Sequence, residues 1–287
     1  MAVFKRGYER YEGPLTTPLA RLLVLPRFAW ESLLQQRIVV ILFVLALFWP
    51  LLCGVFVYLS NHLDLLGGME GNEISNMLKI DGQFFAIFMN VQSVFAMILA
   101  SISGPGLIAP DLANNALPLY FARPLSRWSY IAARMLVLLG ILSLVTLVPA
   151  VFLLIMQASM GGSQWLASYW WLGPGVMLGF LILLVVVSLV ALACSAYVKW
   201  RVVAGALVLA FFFVLAGAAT IVNAVLRVQW GSLFNPGFLM WRLWCGLLGV
   251  EPPAGPDLVA CSIAVVLLII GLVTVLLRKL RPVEVIS

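Results

Sequence analysis

The side chains best placed to meet a partner stand together in one short stretch, residues 104–131, between two long apolar runs. Asp111, Asn114, Asn115, Tyr120, Arg123 and Arg127 offer hydrogen bonds and ion pairs there, and Pro110, Pro118 and Pro124 punctuate the backbone. Pro110 and Asp111 supply a helix start, with the carboxylate available to free backbone N–H groups. Residues 112–117 then form a short helix that Pro118 ends. Arg123-Pro124 restarts the chain, and Arg127, Trp128 and Tyr130 anchor the next apolar run. The expectation is a stubby helix held between two rigid spans, suited to passing a partner's motion into them.

Other chemistries find little support. A covalent mechanism needs a nucleophile beside a base, and neither G-x-S-x-G nor H-E-x-x-H occurs. His62 is the only histidine and reads as a surface residue. Cys53, Cys194, Cys245 and Cys261 form no C-x-x-C pair and have no nearby His, so they read as buried apolar residues and not as a metal or redox site. Cys245 and Cys261 both fall near one predicted face of the membrane, which leaves a disulfide between them open. No Lys follows a Gly, so the phosphate-cradling G-x-x-x-x-G-K-[ST] is absent.

The elements that must position these residues are membrane helices. The 287-residue chain is 64% hydrophobic and 10% charged, with a mean hydropathy of +1.12, which excludes an ordinary soluble domain. Crossing a bilayer core of about 30 Å takes about 20 apolar residues. Six runs qualify: residues 38–60, 84–108, 134–157, 176–198, 202–226 and 258–277. Of the 17 Lys and Arg, all but Lys79, Arg227 and Arg242 fall on one set of alternating loops and tails. Because basic residues in short loops stay inside, both termini are expected in the cytoplasm. The +6 net charge then follows from topology and favours anionic lipid; the cations are dispersed along membrane edges and form no nucleic-acid patch. One transmembrane domain covers 1–287, with a cytoplasmic tail and helix over 1–37, the bundle over 38–277 and a tail over 278–287. Nothing in the first 37 residues resembles a removable signal peptide, so the first span serves as its own insertion signal.

Flanking segments carry their own signals. Leu19, Leu22, Leu23, Pro26, Trp30 and Leu33 or Leu34 recur at helical spacing, which suits an amphipathic helix along the cytoplasmic interface. Residues 61–83 read as a solvated acidic outer loop. Residues 157–174, uncharged but carrying Trp165, Tyr169, Trp170 and Trp171, read as an outer loop with an aromatic belt. Residues 227–257 are too apolar for a loop, which calls for short interfacial or re-entrant helices broken near Asn235-Pro236. No charge sits mid-span, against an ion-coupled carrier. Instead Asn90, Ser93, Met97 and Ser101 share one face of the second span, and Thr220 and Asn223 continue a stripe from Gly205 on the fifth. Such small or polar faces serve helix packing, the lining of a pathway, or both at a dimer interface.

These residues resemble the permease subunits of ABC-2-type transporters. The resemblance rests on Ile108-Ala109-Pro110-Asp111, Leu119-Tyr120 and Arg123-Pro124-Leu125-Ser126-Arg127 before the third span. The tail Gly7-Tyr8-Glu9-Arg10-Tyr11-Glu12-Gly13-Pro14 resembles that of some bacterial members. The span count, the helix before the first span and the long apolar connection before the last extend the likeness over nearly the whole chain. It implies a bacterial inner-membrane exporter in which this loop is a coupling helix docking on an ATPase, with Asp111, Asn114, Asn115, Tyr120, Arg123, Pro124 and Arg127 carrying coupling. Asn90, Ser93, Met97, Ser101, Thr220 and Asn223 become candidates for the pathway or the dimer interface. The resemblance further implies two ATPase subunits, which hold ATP and Mg where this chain needs no cofactor, and a second permease chain. The alternative is an ATPase-coupled scaffold that transmits force or signal to a periplasmic assembly without transporting cargo. Neither reading selects a substrate.

Overall fold

A computed structural model describes residues 18–62, 79–114 and 127–280. The described residues are mostly helical, with no strand among them. In chain order they form α1 (Pro18–Leu34), α2 (Arg37–Asn61), α3 (Gly82–Ser103), α4 (Pro105–Ala113), α5 (Arg127–Val145), α6 (Leu147–Tyr169), α7 (Leu172–Tyr197) and α8 (Arg201–Leu226). A single 3-10 turn (Trp230–Phe234), α9 (Pro236–Leu248) and α10 (Leu258–Lys279) complete the set. Six helices are long and apolar enough to cross a membrane: α2, α3 running into α4, α5 running into α6, α7, α8 and α10. The chain is a multi-pass membrane protein.

Helix α7 is the axis. Its most apolar window is 72% buried, against 17% for α10 and 22% for α2. Small residues allow this: Gly175, Gly179, Ser188, Ala191, Ser195 and Ala196 are buried along it, and neighbouring backbones close in where side chains are short. The exposed apolar flanks of α2, α8 and α10 suit lipid. Contacts define two ends of the bundle. At one, Arg201 reaches Gln36 and Lys279 stacks over Tyr197; this is the basic end. At the other, Asn61 bonds Gln157 and Trp165 bonds the Ile80 carbonyl.

One buried amide ties three helices together. Pro50 lies inside α2 and Pro149 in the first turn of α6. Each proline lacks the N–H that its fourth residue back would accept, orphaning the carbonyls of Ala46 and Val145. Gln92, fully buried on α3, donates from Nε2 to both, at 3.1 Å to Ala46 and 2.7 Å to Val145. Its two N–H bonds answer two proline-made vacancies, so α2 and the α5–α6 junction are tied together at one place.

One expectation about the outer loops changes. Residues 157–174 are not a single loop: α6 runs on to Tyr169, interrupted at Gly162, whose φ of 68° a side chain would oppose, and after a tight turn at Trp170-Trp171 α7 begins at Leu172. The cysteines are free, and Cys261 Sγ instead approaches the Pro256 carbonyl at 3.8 Å. The long connection is helical on both sides of Asn235: Asn235 accepts from the N–H groups of Gly237 and Phe238 to start α9 behind Pro236. Trp244 of α9 is buried and donates to Gly179 of α7 at 3.2 Å.

Candidate functional site

At the basic end, α3 bends into α4 at Gly104-Pro105, and the turn is held from outside. Ser195 of α7 accepts from the N–H groups of Ala109 (2.9 Å) and Ile108 (3.3 Å) and donates to the Pro105 carbonyl (3.1 Å). This anchor fixes α4 against α7, with Asp111 in the last turn of α4.

Asp111 therefore does not start a helix. The helix begins at Pro105, a proline suited to a first turn, and Pro110 falls inside it. The carboxylate turns toward α5, where Tyr130 Oη donates to Oδ2 at 2.6 Å and Arg134 Nη2 bonds the same oxygen. Arg134 also sits over the Tyr130 ring, 5.3 Å from its centroid. The pair is largely enclosed, with 10% of the Arg134 side chain and 15% of Asp111 exposed. Arg134 Nε has no partner among the described residues. Tyr130 and Arg134 are one helical turn apart, which puts both on the face of α5 that Asp111 meets. An enclosed ion pair of this kind is rigid: α4 cannot shift without taking α5 along or leaving a charge unpaired.

The rest of the loop divides. Asn114 is exposed in the turn that ends α4, its N–H donated to the Pro110 carbonyl. Arg127 is exposed at the start of α5. Asn115, Tyr120, Arg123 and Pro124 lie outside the described residues.

The polar stripes meet only at the basic end. A Cβ added to Gly205 of α8 would lie 2.4 Å from the Ser101 carbonyl of α3, so the two backbones touch there. Beside this contact runs a groove of about 530 Å³ lined by Gln36, Ile98, Ser101, Arg201, Gly205 and Leu209. Ser93 and Ser101 spend their hydroxyls on their own helix, on the carbonyls of Asn90 and Ile98, and Thr220 does the same on Ala216. Met97 is half-buried, and Asn90 and Thr220 are exposed. Asn223 Nδ2 donates to Ser232 of the 3-10 turn at 2.9 Å. Along α3 and α8 these groups act chiefly through their small size, which fits close packing.

Two residues escaped the sequence reading. Arg134 reads as a basic flank of the third span, yet the helix starts a full two turns earlier and makes it interior. Gln92 lies off the polar stripe. The signal for it was the pair of mid-span prolines, each of which requires a donor for an orphaned carbonyl. Among the described residues no three His, Cys, Asp or Glu gather as a metal site. No protein-family model matches the chain, and no curated protein matches it.

Proposed function

We propose that the chain is the permease subunit of an ABC exporter, forming half of the transmembrane pathway with a second permease chain. Two separate ATPase subunits bind ATP and Mg and hydrolyse it, while α1 lies along the cytoplasmic membrane surface and the basic end faces the cytoplasm. The observation that carries this reading is the Asp111–Tyr130–Arg134 junction. It ties the end of α4, where the family-like loop leaves the bundle, to the first turns of α5. A push on that loop moves two spans together, and through Ser195 it also reaches the axial helix. The six apolar helices and the Gly205–Ser101 groove fit the same reading.

The test is reconstitution in liposomes with the partner ATPase. The expected result is a stable complex with ATP hydrolysis coupled to cargo movement, and loss of that coupling in Arg123→Ala and Asp111→Asn. If both variants keep subunit assembly and cargo-stimulated hydrolysis, the coupling role fails. If the intact complex hydrolyses ATP while vesicle contents never change with any offered cargo, the scaffold reading replaces the exporter.

A further inference from the structure

At the basic end, α7, α8 and α10 enclose an apolar groove of about 440 Å³, open toward the membrane and lined by Ala193, Tyr197, Ala210, Phe211, Val214 and Leu272 among others. Tyr197 marks its rim. Leu272 precedes Lys279 by seven residues, about 10 Å of helix, and Val214 lies thirteen residues into α8, about 20 Å. The groove therefore runs down from the rim through roughly one leaflet of a bilayer whose core is about 30 Å thick.

Among the described residues the rim is cationic and unbalanced. Lys279 Nζ stands 5.2 Å from the centroid of the Tyr197 ring, which holds the ammonium over the mouth of the groove. Lys199 follows Tyr197 by two residues and Arg278 adjoins Lys279; these cations are exposed, as is Lys279. The ion pairs among the described residues are Arg27–Glu31 and Arg134–Asp111, so within them none of Lys199, Arg278 and Lys279 is matched to a carboxylate. A slot with the length of an acyl chain, walled by hydrocarbon and headed by cations with no carboxylate partner among the described residues, matches one ligand chemistry.

We propose that this groove is a selective site for an anionic phospholipid, with an acyl chain along α7, α8 and α10 and the phosphate at Lys279 and Lys199. The site is independent of what the chain transports and would stand if the permease reading fell. Neutral phospholipids fit the slot but leave the cations without a counter-charge, so selectivity resides in the headgroup.

Native mass spectrometry of the full chain tests this, after delipidation and incubation with equimolar phosphatidylglycerol and phosphatidylcholine of equal chain length. Phosphatidylglycerol is expected to be retained in preference. Lys279→Gln should reduce that preference roughly fivefold and the Lys199→Gln/Lys279→Gln pair roughly twentyfold, from the attraction each membrane-edge cation contributes. Lys279→Arg should keep it, and Ala210→Phe, which narrows the slot, should reduce retention of both lipids together. The variants sit at the surface, and unchanged melting temperatures for the Gln variants certify their fold. Equal retention of the two lipids by the native chain, a preference untouched by the double Gln variant, or a dimer that holds neither lipid would each overturn the assignment.

Discussion

Asp111 and Arg134 hold each other in a setting where neither charge stands well alone. Removing one partner of an enclosed pair strands the other, at a cost of about 3–5 kcal/mol, whereas replacing both with apolar groups is close to neutral. Asp111→Leu alone should therefore lower the melting temperature in detergent sharply, and Asp111→Leu/Arg134→Met should recover most of the loss. A double variant no more stable than the single one would mean that the pair is not what fixes α4 on α5. The pair also separates what one residue can announce from what it cannot. Asp111 stood out because an acidic group between apolar runs needs a reason. Its partner, 23 residues away, was hidden by where the third span was expected to start. Tyr130 and Arg134 share a helical face, but only a span beginning at Arg127 reveals it.

Pro50 and Pro149 each orphan a carbonyl, and both carbonyls meet at Gln92. Gln92→Leu keeps the volume and removes both donors, leaving the Ala46 and Val145 carbonyls buried without partners, at about 1–3 kcal/mol each. Restoring the missing N–H groups with Pro50→Ala and Pro149→Ala lets each helix answer its own carbonyl. The triple variant should then melt above Gln92→Leu alone; if it melts at or below it, the amide is not compensating for the prolines. A second contact at this scale is the approach of α3 and α8. In Gly205→Val the new Cβ would meet the Ser101 carbonyl, a backbone atom that cannot rotate aside. The expected outcome is a lower melting temperature and a spin-label distance between the basic ends of α3 and α8 that lengthens. All six spans were legible from hydropathy, because each must satisfy its backbone within itself and shows a long apolar run. The capped start of α9 behind Asn235-Pro236 was legible for the same local reason. What was not legible depends on partners distant in sequence: the Ser195 clasp that lets α4 begin at Pro105, and the persistence of α6 as far as Tyr169, where Trp165 is held by Ile80.

At the scale of the molecule, charge decides orientation. The helices alternate about the axial α7, gathering Gln36, Tyr197, Arg201 and Lys279 at one end and Asn61, Ile80, Gln157 and Trp165 at the other. The orientation proposed above puts the basic end in the cytoplasm, since Lys and Arg in short loops resist translocation. Lys199 and Gln229 are both exposed and lie at opposite ends of α8, one before its start and one after its finish. Single Lys199→Cys and Gln229→Cys variants therefore report orientation directly. With the half-buried Cys194 replaced by serine, the remaining native thiols interfere little: Cys53, Cys245 and Cys261 are buried, and burial pushes the Cys245 thiol up, against the pull of Arg242, away from the reactive thiolate. A membrane-impermeant maleimide should label Cys at position 229 in intact spheroplasts and Cys at position 199 only after lysis. The opposite pattern would turn the bundle over. It would put the Asp111 junction on the outer face, where no ATPase can reach it, and the coupling role proposed for the loop would fall with it.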